Sequence, residues 1–481
     1  MLTMLRHEWR LQQSDRVGRL ILILFMLAAG YAVYNGKKEQ DNRLTQINQV
    51  GATQSEWREK NQADAQQIWA DLRAEDGNLD AFMWDARNPF RLGTRNGAQV
   101  TMPQLPMGAL AVGSSDILPL AYRVSAGENL SFETTQYKRN PLRLATGHFD
   151  MGFVILYMMP LMLLVASFNM ISEDRDNGNA RLLFAGGVKT WQLLTSKLLI
   201  RAITIIGPIL LFSLIGFLWA GGASVGSWGR FFLWSGVTIV YGSFWLGLAL
   251  WVNGLGRNSA TNAVILAVAW IGLVVVAPGM VNVTAETVSP VSSKVSFVNA
   301  QRAAAAEATE SAAETMADFL GDHPELAKLK GDRVNYAINR VVRNEAVAKN
   351  LRPVLEEQEQ QVSHQQAIFA RWGYLSPSIL VYRLQLDATG ASTSRHSFFI
   401  EQLKAFRETW NGFFQAKYFE WKPLQPETYD NLPTMDYQEE TAANVLGRGV
   451  GPLIGLLIFT GLVLAASTTR FRNWRIMVMN Q

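Results

Sequence analysis

The chain has 481 residues, of which 17% are charged, with a formal net charge of +4 and no cysteine. The lack of cysteine excludes disulfides, thiolate metal sites, iron–sulfur clusters and a cysteine nucleophile. The small net charge, without a basic stripe interleaved with aromatic residues, argues against nucleic-acid binding. The mean hydropathy of +0.05 is close to that of a soluble protein because very apolar segments alternate with long polar ones.

Six apolar segments are each long enough to cross a bilayer, which takes about 20 mostly apolar residues. They cover residues 17–34, 150–171, 198–223, 229–252, 260–283 and 450–467. They predict an all-α polytopic membrane protein with six transmembrane helices. Two large, mainly helical insertions, 35–149 and 284–449, are predicted between them. Such a protein acts in transport, signalling or anchoring.

The N-terminal segment, residues 1–16, has the pattern of a short amphipathic helix. Leu2, Leu5 and Trp9 fall on one side of it, as in helices that lie in the membrane interface. A plain basic tail is the alternative interpretation, and the residues alone leave both open.

The first insertion begins with polar residues 37–75, whose sparse apolar positions predict a long helix continuing out of the first span. Prolines and glycines follow over residues 88–113 and indicate loops and turns.

The second insertion has helical patterns over residues 303–319, 332–372 and 397–421, with a break at 321–324. Ser376-Pro377 marks a turn. The third pattern carries an aromatic face. Packing inside a helical domain is the favoured interpretation of that face, and contact with a substrate is the alternative.

The segment between spans two and three, residues 172–197, opens with a dense cluster of charges. Gly178 permits a tight turn, and residues 181–184 form a small, partly apolar surface. An apolar patch ringed by charge is suited to docking a partner, although a charged loop is the simpler interpretation.

Lysine and arginine in short loops and tails predict the orientation in the membrane. Four such segments are basic, and with an even number of spans they all lie on one side, which we assign to the cytoplasm. Both insertions are then extracytoplasmic. The basic residues are Arg6, Arg10 and Arg16; Arg175, Arg181, Lys189 and Lys197; Arg257; and Arg470, Arg472 and Arg475, the last three in the tail 468–481.

The sequence lacks recognisable motifs for nucleotide binding, catalysis or metal binding. Gly186-Gly187-Val188-Lys189-Thr190 has the wrong spacing for a phosphate-binding loop, and the five histidines are scattered without zinc-protease spacing. We therefore predict no catalytic residue, no metal site and no cofactor in this chain. No span carries Asp, Glu or Lys at its centre, which favours an externally powered transporter over an ion-coupled carrier.

Three short runs resemble a known family. Asp174-Arg175-Asp176-Asn177-Gly178-Asn179, Leu182-Leu183 and Ser196-Lys197-Leu198 resemble the coupling region between spans two and three of ABC-2 type permeases. These are subunits of ATP-binding-cassette transporters, with six spans and cytoplasmic termini.

A narrower resemblance covers the insertions. Asn88-Pro89-Phe90, the run 111–119 with Tyr122, and Ser376-Pro377-Ser378 before Arg383 resemble the copper-enzyme-maturation branch of these permeases. That branch carries large insertions after spans one and five.

The resemblance implies an exporter permease in the bacterial inner membrane, with periplasmic domains and membrane lipid around its spans. Its implied partners are separate ABC ATPase subunits that bind ATP and magnesium, a second identical or homologous permease, and a periplasmic protein. The implied ATPase-coupling residues are Glu173, Asp174, Arg175, Asp176, Gly178, Arg181, Leu182 and Leu183. The alternative is a membrane-anchored sensor or scaffold with an extracytoplasmic ligand- or protein-binding domain.

Overall fold

The computed structural model describes residues 2–75, 85–116, 118–126, 133–134, 148–179, 185, 187–222, 227–322, 324, 332–420 and 423–471. Within these residues, six helices are long and apolar enough to span a membrane, which confirms the predicted all-α polytopic fold. We number them spans one to six: Arg16–Asp71, Met151–Arg175, Thr190–Trp219, Ser227–Asn253, Ser259–Val288 and Ala443–Phe471.

The helices follow one another along the chain with few strands between them. In order they are α1 (Leu2–Ser14), α2 (Arg16–Glu75), α3 (Met151–Phe153), α4 (Met159–Ser167), α5 (Ser172–Asp176), α6 (Thr190–Trp219), α7 (Ser227–Asn253), α8 (Ser259–Trp270), α9 (Ala277–Val288), α10 (Lys294–Glu310), α11 (Ala312–Asp322), α12 (Asp332–Trp372), α13 (Pro377–Thr389), α14 (Thr393–Glu420) and α15 (Ala442–Phe471). π-Helical stretches at Val154–Met158 and Ile271–Val276 lie inside spans two and five.

Span four is the centre of the bundle. In its most apolar stretch, 61% of the residues are buried, compared with 17% in that of span five. Two buried aromatic side chains of span four form hydrogen bonds with neighbouring spans. The Trp234 Nε1 donates to Ser213 Oγ at 3.2 Å, and the Tyr241 hydroxyl donates to the Leu156 carbonyl at 3.1 Å. Large aromatic side chains therefore fill the core without leaving these two polar atoms unpaired.

The predicted long helix out of span one is present. Helix α2 has 60 residues, about 90 Å at 1.5 Å per residue, and its outer half is polar. The loop expected over 88–113 is partly wrong, because this region contains a π-helical turn, Arg91–Asn96, and strand β1, Ala98–Thr101. β1 pairs antiparallel with β2 (Ala121–Val124), which pairs with β3 (Glu133–Thr134).

The two insertions share one hydrophobic core instead of having one each. The aromatic face of α14 supplies much of it, since Phe399, Trp410 and Phe414 are buried. The packed-helix interpretation of that face is confirmed. The Trp410 Nε1 donates to the Gly93 carbonyl at 3.0 Å, and the Tyr429 hydroxyl donates to Ala86 at 2.6 Å. We call this joint structure the outer body.

Helix α13 belongs to the predicted second insertion by sequence but packs among the spans. Leu380, Val381 and Leu384 are buried in the same core as spans two, four and six. The second insertion is therefore not wholly separate from the span bundle. The helix predicted over 303–319 is also interrupted at Ser311, between α10 and α11.

Candidate coupling site between spans two and three

Helix α5 lies at the C-terminal end of span two and is held there by a buried asparagine of span four. The Asn253 Oδ1 accepts hydrogen bonds from the backbone amides of Ile171 and Ser172 at 3.1 and 3.4 Å. Its Nδ2 donates to the carbonyls of Ser167 and Ala249. This one side chain forms hydrogen bonds with backbone amides and a carbonyl that lose their helical partners near the end of span two. It thereby attaches α5 to the centre of the bundle.

Two further contacts join α5 to span five and to the turn before it. The hydroxyls of Ser172 and Ser259 lie 2.8 Å apart. The Arg175 Nη2 donates to the Arg257 carbonyl at 2.9 Å. Helix α5 therefore contacts the start of span five as well as the end of span four.

A buried ionic cluster connects α5 with span three and α1. The Lys197 Nζ lies 3.1 Å from Glu8 Oε1 and 3.0 Å from Asp174 Oδ2, and the three side chains are 5%, 7% and 15% exposed. The Arg201 Nη1 lies 3.9 Å from Glu8 Oε2, and its Nε donates to Ala166 at 2.7 Å. Two cations and two carboxylates thus meet in a space that excludes most water. Buried ion pairs of this kind are stable only when the charged groups lie close together in good geometry.

Comparison with known families gives two matches. The model of the ABC-2 family transporter protein matches residues 2–329, and that of a domain of unknown function (DUF3526) matches residues 294–438. The chain belongs to the ABC-2 family of transporter proteins. It is a membrane permease of an ATP-binding-cassette transporter. No curated protein and no solved structure matches the chain.

The predicted coupling residues of this permease occupy different environments. Asp174 and Arg175 face inward, as described, while Glu173 is exposed and accepts from Asn169 Nδ2 at 2.6 Å. Gly178 has a φ of +73°, the left-handed conformation expected at a tight turn. Asp176 ends α5, with its side chain outside the described residues, as are Arg181, Leu182 and Leu183.

The N-terminal segment is helical as predicted, as α1, and one polar residue of this helix, Glu8, is buried against the bundle. Leu5 is half-buried and Trp9 is 42% exposed, while the Leu2 side chain lies outside the described residues. Met4 packs on the cluster around Leu193 at the inner end of span three. Glu8 falls one helical turn after both Met4 and Leu5, and this spacing was the available signal that it faces the bundle.

A second ionic cluster lies where the outer body meets spans four and six. The buried Arg395 of α14 donates to both carboxylate oxygens of Glu439 at 2.8 and 2.6 Å. The Arg448 Nη2 donates to Glu440 Oε2 at 2.7 Å, and this bond lowers the pKa of Glu440. Arg230 of span four donates to the Asp387 carbonyl at 2.9 Å. Sequence reasoning missed this cluster, since its members are distant in the chain.

No group of three or more metal-ligating side chains occurs in the part of the chain that the structure describes. The half-buried His396 of α14 lies 2.7 Å from the Tyr122 hydroxyl, and desolvation lowers its pKa. This direction favours the neutral imidazole, which suits a hydrogen-bonding role for His396 in the outer body.

Proposed function

We propose that this permease is an exporter subunit driven by separate ABC ATPase subunits, which dock on the cytoplasmic segment 172–197. ATP and Mg²⁺ are bound by those subunits. Closure of the ATPases displaces the segment, and rigid-body movement of two span bundles, one from a second identical or homologous permease, moves the cargo.

The observation that carries the proposal is the bracing of α5. Asn253 ties it to span four, Ser259 to span five, and Lys197 to span three and α1. A force on this short helix therefore reaches four spans and the N-terminal helix through buried contacts. A loop that only connected two spans would not need such attachments.

The distribution of lysine and arginine supports the sidedness of this proposal. We assign the chain to a bacterial inner membrane, with both termini and α5 in the cytoplasm and the outer body in the periplasm. The outer body then meets cargo, or a periplasmic partner, at or beyond the outer leaflet.

The test is a double variant in the candidate docking surface, Arg181→Glu with Leu182→Asp. Reversing a charge and placing a carboxylate in an apolar contact costs several kcal/mol at an interface. We expect the affinity-purified permease to lose its ATPase subunits and its ATP-dependent transport by more than about tenfold, while it still inserts normally.

The matched control is Arg302→Glu with Ala306→Asp on α10, where both side chains are exposed on the outer body. It introduces the same charge reversal and the same new carboxylate on the other side of the membrane, and it should leave ATPase retention unchanged. Normal co-purification and transport by the Arg181/Leu182 variant would contradict the docking assignment. A purified wild-type complex with no ATPase subunit would favour the sensor or scaffold alternative.

A further inference from the structure

A cleft lies beside helix α2 just beyond the apolar part of span one, and we call it the α2 cleft. One of its walls is two turns of α2, from Gln40 to Ile47. The other wall consists of described residues of the segment that joins β1 to β2, between Met102 and Leu120. The space measures about 470 Å³ including its open mouth. This lies within the range of about 300–1,000 Å³ that is usual for small-molecule sites.

The sequence of span one sets the level of the cleft. The apolar segment ends at Tyr34. Along the helix, at 1.5 Å per residue, Gln40 is about 9 Å further on and Ile47 about 20 Å. The cleft therefore lies outside the hydrocarbon core, at the level of the headgroups and of the water beyond them.

Two contacts hold α2 against the opposite wall. A Cβ added at Gly36 of α2 would come within 2.1 Å of the Ala109 carbonyl oxygen, so the two backbones meet directly at this point. Further along α2, the Arg43 Nη2 donates to the Ser115 carbonyl. The space between these contacts is therefore formed without a ligand.

The wall opposite α2 is apolar and fixed in place. The Met102 amide donates to the Leu120 carbonyl at 2.9 Å, which ties the two ends of the joining segment together. The Val112 amide donates to the Asp150 carboxylate at 3.0 Å, at the start of span two. Met102, Leu105, Val112 and Leu120 line the cleft, and each is at most 9% exposed. This wall suits the apolar part of a ligand.

Gln40 brings a polar group that the described chain does not satisfy. Its side chain is 4% exposed, and its Oε1 accepts no hydrogen bond from the residues that the structure describes. Polar neighbours on the same part of α2 differ, since Lys37 bonds to Asp41 and Arg43 to Ser115. A buried acceptor without a donor is costly, and most such groups in proteins are paired. A molecule in the cleft can supply the donor.

We propose that the α2 cleft binds a small apolar group that carries a hydrogen-bond donor. The donor bonds to the Gln40 Oε1, while aliphatic carbons pack against Met102, Leu105 and Leu120. A secondary amide with a branched alkyl group has this chemistry, and it occurs in free alkyl amides and in the apolar residues of peptides. The hydrocarbon chain of a lipid has no donor and would leave Gln40 unpaired.

Because the chain has no cysteine, a single cysteine at the mouth of the cleft can trap such a group by disulfide exchange. Gln104→Cys is suited to this, since Gln104 lines the cleft and is exposed. The full-length variant in detergent is incubated with an equimolar pair of disulfide reagents, one carrying an N-isobutyl amide and one its N-methylated form, which lacks the N–H. Mercaptoethanol keeps the exchange reversible, and intact mass measures capture. We expect the reagent with the N–H to be captured at least about threefold more.

The controls separate recognition by Gln40 from the reactivity of the reagents. Gln40→Met removes the acceptor at similar side-chain length, and it should make the capture of the two reagents equal. Gln360→Cys, on the exposed side of α12, should also capture them equally. Equal capture at Gln104→Cys, or a preference that survives Gln40→Met, would overturn the proposal. Pro103→Cys, in the same wall, repeats the measurement if Gln104→Cys does not fold.

Competition distinguishes the two sources of the amide. N-isobutylacetamide and N-acetyl-leucine methylamide are added separately to the exchange at Gln104→Cys. Displacement by the acetamide supports a small amide, and displacement by the leucine derivative alone supports a peptide segment. If neither displaces the reagent, the proposal is wrong. This site goes beyond the proposed export function, and its test involves neither segment 172–197 nor ATP, so the two proposals fail separately.

Discussion

Lys197 is the residue at which α1, α5 and span three meet. It offers one ammonium group to the carboxylates of Glu8 and Asp174, and Arg201 supplies the second positive charge. Removing such a group leaves two carboxylates facing each other in a site that water barely reaches. The loss of a single partner from a buried pair costs about 3–5 kcal/mol, more than the pair itself contributes.

We therefore expect Lys197→Met to destabilise the permease by about 3 kcal/mol. Thermal unfolding in detergent, followed by tryptophan fluorescence, measures this as a lower midpoint. The control is Lys189→Met at the start of the same helix, where the side chain is exposed and only the backbone amide bonds to Gln192. That change should stay within about 0.5 kcal/mol.

Equal unfolding midpoints for the two lysine variants would show that the buried ion pairs of Lys197 are not formed in the protein. A combined Glu8→Gln, Asp174→Asn and Lys197→Met variant discharges the three groups together. It should recover part of the lost stability, because no uncompensated carboxylate remains at Lys197.

At this scale the structure adds contacts within the chain that the sequence did not predict. Contact of Asp174 with an ATPase stays a prediction, and within the chain its side chain pairs with Lys197. The other partner of Lys197, Glu8, is 189 positions away from it, and no local pattern reports such a pairing. Gly178 was predicted correctly because a left-handed turn is a local property of glycine.

Among the elements, long periodic helices were predictable, whereas strands β1 and β2 and helix α13 were not. α12 was predicted as residues 332–372 and is observed as Asp332–Trp372. Strands β1 and β2 have four residues each, too few to show a period of two. Helix α13 has 13 residues and is too short to be recognised as a membrane-spanning helix. Its burial depends on spans that come earlier and later in the chain.

The attachment of α13 to span five gives a prediction at this scale. The Leu273 carbonyl lies in the π-helical stretch of span five, where the regular hydrogen-bond pattern is interrupted. The hydroxyls of Ser376 and Ser378 donate to this carbonyl at 2.5 and 2.8 Å, and the Ser376 side chain caps α13 by accepting from the Ser378 amide. Ser376→Ala with Ser378→Ala removes both hydroxyl donors and the cap of α13. We expect a loss of about 2 kcal/mol and faster hydrogen exchange in α13 and near Leu273.

The exchange pattern separates a local effect from general unfolding. Exchange in α14 should stay unchanged, because its core contacts lie in the outer body. Ser363→Ala, whose hydroxyl bonds only to the nearby Gln360 carbonyl, should leave exchange in α13 as in the wild type. Uniform acceleration throughout the chain, or none at α13, would contradict the role of these two serines.

At the scale of the whole molecule, the outer body is one structure built from two distant parts of the chain. The bond from Trp410 to Gly93 joins residues 317 positions apart. The sequence showed two insertions long enough for separate cores, and only the fold reveals that they share one. The second ionic cluster then fastens this body to spans four and six, because Arg230 lies 3.9 Å from Glu439 and Arg448 bonds to Glu440.

Sidedness is the property of the whole molecule on which the proposed function depends, and single cysteines test it. Asn177→Cys lies in the exposed turn after α5, and Gln360→Cys lies on the exposed side of α12. In right-side-out vesicles, a membrane-impermeant maleimide should label Gln360→Cys at once. It should reach Asn177→Cys only after permeabilisation, since the positively charged segments are retained in the cytoplasm. Unlabelled wild-type chain is the control for the reagent. If intact vesicles label Asn177→Cys as fast as Gln360→Cys, α5 cannot be the docking site of a cytoplasmic ATPase.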